Sequence, residues 1–125
     1  MARILIAEDE PDIRELVAFT LRFAGHEVTT TANGEEAVQQ ASLIMPDLIL
    51  MDVRMPKMTG YEACREMKKI DEIKNVPVIF LSAKGQDEEK QTGIEAGAVA
   101  YILKPFAPDE LTRQIADILK ARGLS

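Results

Sequence analysis

Apolar and polar positions follow two alternating periods along this chain. Short, nearly unbroken apolar runs stand at Ile4-Leu5-Ile6-Ala7, Leu48-Ile49-Leu50-Met51, residues 76–81 and residues 99–103. They have the character of parallel strands covered on both faces. A fifth run, residues 26–31, is β-prone but more polar, which suits an edge strand. Pro77 lies near the start of its run, where a missing N–H is best tolerated.

Between the runs the apolar positions recur at helical spacing. Ile13, Leu16, Val17, Thr20 and Ala24 mark one face of a first helix, stopped by Gly25. Asn33 reads as the N-cap of a second, with Ala37, Ala41 and Ile44 inward and an end before Pro46. Tyr61, Cys64 and Met67 share the inner face of a third. A fourth, over residues 86–96, opens with a polar turn and is expected to bury little and move easily. Pro108 begins a fifth, with Leu111, Ile115, Ile118 and Leu119 inward. Five strand–helix pairs in succession predict an α/β fold with a doubly wound parallel sheet. With no linker, repeat or low-complexity tract, one domain is expected to fill residues 1–125.

Composition narrows the function. Apolar residues make up 46% and charged residues 29%, as in soluble globular proteins. The net charge is −6, and the 15 basic residues are scattered among 21 acidic ones, so no basic face for nucleic acid is expected. Cys64 is the only cysteine, which excludes an internal disulfide and a thiolate zinc cluster and suits a reducing cytoplasm. The apolar run after Arg3 is far shorter than a secretory core of roughly 7–15 residues or a span of about 20, so neither is expected.

In open α/β sheets, ligands bind beyond the carboxyl ends of the strands. The first strand leads there into Glu8 and Asp9, the third into Asp52, the fourth into Ser82 and the fifth into Lys104. The second ends in Thr31-Ala32-Asn33, with nothing ionisable. A sheet ordered 2-1-3-4-5 would gather the four equipped ends and leave the second strand outside. Three carboxylates at one site repel each other unless a cation sits among them. Hard oxygen ligands without clustered Cys or His point to Mg²⁺. Lys104 supplies a compact positive charge for a phosphoryl oxygen, and Ser82 a hydroxyl donor. Such a site suits phosphoryl transfer to a carboxylate nucleophile.

Taken in order, Glu8-Asp9, Asp52, Ser82-Ala83 and Lys104-Pro105-Phe106 resemble the motif set of response-regulator receiver domains, with agreement in spacing along essentially the whole chain. The resemblance implies the chemotaxis-regulator-like, flavodoxin-like (βα)5 fold. It implies that Asp52 accepts a phosphoryl group from a phosphohistidine on a sensor histidine kinase or histidine phosphotransfer protein. Mg²⁺ would be held by Glu8, Asp9, Asp52 and the backbone carbonyl of Arg54. Lys104 and Ser82 would bind the phosphoryl group, with Ser82 and Tyr101 as switch residues and a cis bond before Pro105. The face of the fourth helix, fifth strand and fifth helix would then change its preference for a downstream protein effector. Such a domain is a signalling receiver that catalyses only its own phosphorylation and autodephosphorylation. It is expected in the cytoplasm, with no membrane or nucleic-acid contact of its own. His26 is not the phosphodonor, since that histidine belongs to the partner.

Two departures from the family pattern matter. Many DNA-binding regulators carry an acidic pair where this chain has Val99 and Ala100, which favours a monomer here. Arg54 and Lys84 flank the path of attacking water, at positions where family members differ in dephosphorylation rate. Three rival readings are weaker. An aspartyl-phosphate phosphohydrolase needs a second Asp where Arg54 stands. A flavodoxin-type carrier needs a phosphate-cradling loop where Glu8-Asp9-Glu10-Pro11 stand. A receiver-like module that binds partners without phosphorylation would not need so complete a set.

Overall fold

Five parallel strands form one sheet in the order β2-β1-β3-β4-β5: β1 (Arg3–Ala7), β2 (Glu27–Thr31), β3 (Leu48–Asp52), β4 (Val78–Ser82) and β5 (Ala100–Leu103). The computed structural model describes residues 2–82, 96–104 and 106–123. The expected fourth helix therefore lies outside the described residues except for Ala96, and so do Ala83, Lys84 and Pro105.

Side chains alternate across the strands, so each strand feeds two cores. Leu5, Ala7, Ile49, Met51 and Phe80 point to one face. There α2 (Gly34–Ile44) adds Ala37 and Ala41, and α3 (Gly60–Lys68) adds Ala63, Cys64 and Met67. Ile4, Ile6, Leu48, Leu50, Ile79 and Leu81 point to the other. That face is covered by Val17, Ala18 and Leu21 of α1 (Pro11–Phe23) and by Leu111, Ile115 and Leu119 of the C-terminal helix (Pro108–Ala121). β3 and β4 are buried at every position, as their unbroken apolar runs require. β2 and β5 are the two edges; β2 is half-buried, and Leu103 of β5 is exposed.

Local signals set the helix ends. The Asn33 side chain accepts from the Glu36 N–H at 2.9 Å. Proline occupies the first turn of both α1 and the C-terminal helix. Gly25 takes a left-handed φ of 97° just past α1, at no steric cost. α2 stops at Met45 because the residue before Pro46 is driven out of the helical region, and Met45 adopts φ 51°. Pro77 precedes β4 and still serves the sheet, accepting from the Ile49 N–H through its carbonyl at 3.0 Å.

One helix face differs from expectation. Leu16 is 46% exposed and Ala24 is exposed as well, while Ala18 and Leu21 are buried. At about 3.6 residues per turn, the buried arc centred between Val17 and Leu21 leaves Leu16 on its flank. Phe19 and Phe23 also face outward on α1, stacked at 6.2 Å.

Candidate functional site

Because all five strands are parallel, their carboxyl ends meet at one rim. The register then lines up the four equipped ends. Ala7 pairs with Met51, so Glu8 and Asp52 emerge side by side; Asp52 pairs with Leu81, and Ser82 with Leu103, so Ser82 and Lys104 each stand one step further on. The 2-1-3-4-5 order thus brings Glu8, Asp9, Asp52, Ser82 and Lys104 to one place and keeps β2 outside it.

Lys104 joins two of the carboxylates. Its Nζ donates to Glu8 Oε1 at 2.8 Å and to Asp52 Oδ1 at 3.2 Å. Asp52 Oδ1 also accepts the Val53 N–H at 2.9 Å, and Glu8 Oε2 accepts the Glu10 N–H at 3.2 Å. The Glu8 backbone is fixed in turn, its N–H donating to the Thr31 carbonyl and its carbonyl accepting from the Arg14 guanidinium, both at 3.0 Å. The non-ionisable end of β2 therefore serves the site as a strut. Thr31 is itself anchored, its hydroxyl donating to the Ile6 carbonyl at 2.9 Å.

Glu8 is completely buried and Asp52 is 7% exposed. Burial pushes the Glu8 carboxyl up to about 7; the Lys104 hydrogen bond pulls against this and the Asp52 charge adds to it. Burial raises Asp52 as well, against the pull of Lys104. Burial also opposes the charge on Lys104, but its hydrogen bond to Glu8 and the Asp52 charge outweigh this and hold the ammonium above its ordinary range.

One carboxylate oxygen from each of Glu8, Asp9 and Asp52 lies within 4.8 Å of the others. Among the described residues, the Lys104 ammonium bridges two of these three carboxylates, at a cluster of hard oxygen donors. That donor set fits a small hard divalent cation such as Mg²⁺. The one thiol, Cys64, is on the buried face of α3 and donates to the Ala96 carbonyl at 3.2 Å.

The other expected residues lie around this cluster. Ser82 is buried at the end of β4, and its carbonyl accepts the Lys104 N–H at 2.7 Å. Arg54 is exposed two residues past Asp52. Tyr101, in the middle of β5, is half-buried with its ring 5.6 Å from that of Phe80. Pro105, with its expected cis bond, lies outside the described residues.

Three features of the site were not foreseen. The Val53 N–H is a backbone donor, which every non-proline residue has, so no residue type signals it. Gly60 packs so closely on the Asp52 carbonyl that a Cβ there would collide with it, and its N–H donates to the Val53 carbonyl at 2.8 Å. The visible signal for this was Thr59-Gly60: Thr59 forms a full capping box with Glu62, so α3 starts directly against the loop after Asp52. Tyr61, expected only as a core residue, places its hydroxyl 3.3 Å from that of Tyr101.

Comparison with known proteins agrees with this geometry. The family model described as response regulator receiver domain matches residues 4–116. A probable transcriptional regulator, ycf27, of Cyanophora paradoxa is 42% identical over 118 residues, covering 94% of this chain and 48% of that protein. The chain spans about half the length of the curated relatives it matches. The crystallised chemotaxis response regulator CheY4 of Vibrio cholerae superposes with a TM-score of 0.91 at 37% identity, covering 95% of this chain and 99% of that one. The receiver domain of sensor histidine kinase PA1611 from Pseudomonas aeruginosa has a TM-score of 0.87 at 35% identity, covering 93% and 95%, and holds a magnesium ion in its active site cleft. With the sheet order, the acidic rim and the family model in agreement, this chain belongs to the response regulator receiver domains of two-component signalling.

Proposed function

We propose that Asp52 is the phosphoacceptor of this receiver and that its phosphorylation changes what the β5 side of the domain binds. The observation that carries the reading is the placement of one buried carboxylate, Asp52, against two further carboxylates and a lysine 3.2 Å from its Oδ1. A carboxylate oxygen of Asp52 attacks the phosphorus of a phosphohistidine; the P–N bond breaks and the imidazole leaves with its electron pair. Attack by water later returns Asp52 and releases inorganic phosphate. These two steps are the only chemistry assigned to the domain, which makes it a signalling receiver that catalyses its own phosphorylation and dephosphorylation.

Glu8, Asp9, Asp52 and the Arg54 backbone carbonyl would hold Mg²⁺, which when bound supplies positive charge for the phosphoryl oxygens. Lys104, already hydrogen-bonded to Asp52, meets the same oxygens from the β5 side. Ser82 moves its hydroxyl toward the new charge of about −1.5 to −2, and Tyr101 moves into the space left. The phosphodonor is a sensor histidine kinase or a histidine phosphotransfer protein, and the output is a downstream protein effector. The domain works in the cytoplasm as a monomer, and no contact with nucleic acid or membrane is assigned to it. Among the described residues, no helix is long and apolar enough to cross a membrane.

Intact-mass measurement after incubation with a small phosphodonor and Mg²⁺ tests the reading. One phosphoryl mass is expected on the wild type and none on Asp52→Asn or after chelation of Mg²⁺. Uptake at an equal rate in Asp52→Asn would overturn it.

A further inference from the structure

α3 grips the chain that leads into β5, and it does so along one face. Tyr61, Cys64 and Lys68 stand at i, i+3 and i+7 on that helix. The Tyr61 hydroxyl lies 3.3 Å from the Tyr101 hydroxyl, and the Cys64 thiol donates to the Ala96 carbonyl at 3.2 Å. The Lys68 methylenes fill the space beside Gly97, where a Cβ would come within 3.1 Å of them.

Phe80 is the platform shared by both tyrosines. The Tyr61 ring meets it edge-on, with centroids 5.1 Å apart at 84°, and the Tyr101 ring lies 5.6 Å away at 53°. For Tyr101 to turn outward, it must give up the ring contact and the hydroxyl contact together.

The two tyrosines are not held equally. Tyr61 sits in the first turn of a helix fixed by the Thr59–Glu62 capping box, one residue after Gly60, whose N–H is tied to the Val53 carbonyl at 2.8 Å. Val53 in turn donates to Asp52 Oδ1 at 2.9 Å. Tyr101 sits on an edge strand with β4 as its single neighbour. Tyr61 is thereby tied to the loop after Asp52, and Tyr101 to the edge of the sheet.

We propose that Tyr61 is a positioning residue for Tyr101. Its hydroxyl holds the resting Tyr101 ring against Phe80, and through it α3 links the loop after Asp52 to β5 by a route that bypasses Ser82. The resting-state half of this depends only on the Tyr61–Tyr101 contact. The linkage half rests on the reading of Asp52 as phosphoacceptor.

The composition supplies a clean probe. The chain has two tyrosines and no tryptophan, so protein labelled with 3-fluorotyrosine gives two ¹⁹F resonances, both from this pair. Tyr61→Phe removes one hydroxyl, keeps the ring on Phe80 and leaves Tyr101 as the sole signal. In the resting variant, that signal should move toward free fluorotyrosine, with a larger H₂O/D₂O shift. One lost hydrogen bond corresponds to an outward population about threefold to tenfold larger. Tyr101→Phe should leave the Tyr61 signal nearly in place, because α3 and not Tyr101 holds it. With Mg²⁺ and beryllofluoride, Ser82→Ala should still show a moving Tyr101 signal, and Ser82→Ala combined with Tyr61→Phe should not.

A Tyr101 signal with the same position and solvent shift in Tyr61→Phe and wild type overturns the positioning role. Equal responses of the single Ser82→Ala and the double variant overturn the second route. Phosphoryl uptake measured by mass on the same samples is a separate readout. Its failure would sink the Asp52 reading and leave the resting-state result standing.

Discussion

Lys104, just past the last strand, holds its ammonium 2.8 Å from Oε1 of Glu8, just past the first. The two residues are 96 positions apart in the chain. This contact is shorter than the 3.2 Å from Lys104 to Asp52 Oδ1. The lysine is thus shared and leans toward the more deeply buried carboxylate. On the proposed reading of the site, Mg²⁺ held among Glu8, Asp9 and Asp52 would offset the charge of Glu8 and leave Lys104 to Asp52.

Metal-free protein should lose stability as pH rises across the range where Glu8 ionises. Its folded pKa of about 7 lies above the ordinary 4.5, so the folded state holds a proton that the unfolded state has released. The stabilisation is complete below about pH 4.5 and is lost as pH rises toward 7, at roughly 1.4 kcal/mol per unit of pKa difference, on the order of 3 kcal/mol in all. His26, whose pKa burial lowers, pulls the other way, so the quantity to track is wild type minus Glu8→Gln. Urea denaturation in chelator at pH 5 and pH 7.5 measures it. A difference that stays flat or grows with pH would contradict the burial account of Glu8.

Removal of the Lys104 ammonium should be costly without metal and mild with it. Lys104→Met leaves Glu8 and Asp52 without the ammonium that joins them. Breaking such a buried pair costs about 3–5 kcal/mol when the remaining charges stay ionised. The full loss is expected at pH 8 in chelator and a clearly smaller one in saturating Mg²⁺. Equal losses in the two buffers would mean that Lys104 acts through packing alone.

Two glycines should separate support of the site from ordinary backbone strain. Gly60→Ala pushes a methyl group into the Asp52 carbonyl, with an overpacking cost of about 1–3 kcal/mol, and should slow phosphoryl uptake as well. Gly25→Ala meets open space but must hold a φ of 97°, at a cost of about 1–2 kcal/mol. Its rate of uptake should match wild type. Thermal melts combined with uptake kinetics decide the matter, and unchanged uptake in Gly60→Ala would uncouple that contact from Asp52.

The β5 edge should not support a charged dimer. Val99 is 47% exposed, and Arg113 is exposed on the C-terminal helix, so no acidic group at 99 or 100 is there to meet it. Surface pairs contribute about 0–1 kcal/mol each, but a twofold interface counts every pair twice. Light scattering coupled to size exclusion should find a monomer at micromolar concentration with and without beryllofluoride and Mg²⁺. A doubled mass on activation would show Val99 and Leu103 associating through apolar contact instead.

How much of this could be read in the residues depends on how local each signal is. Glu8, Asp52 and Lys104 were legible because a parallel sheet sends all its strand ends to one rim, so the residues at the carboxyl end of each apolar run decide the site. Asn33, Gly25 and Pro108 were legible because caps act over three or four residues. Leu16 was not: with Leu16, Val17, Ala18 and Leu21 all apolar, only the neighbouring elements decide which arc is buried. Nor was the Tyr61 hydroxyl, whose partner lies 40 residues away on another element. The Val53 N–H carries no residue signature at all.

The strand order has a further consequence for synthesis. β3 lies at the middle of the sheet with β1 beside it, yet the lysine that joins Glu8 to Asp52 follows β5, the fifth of these strands in chain order. A nascent chain that has emerged as far as Ser82 already displays all three carboxylates but lacks the ammonium between Glu8 and Asp52. A chain cut short at that point would carry the three carboxylates of the rim without the lysine that bridges two of them.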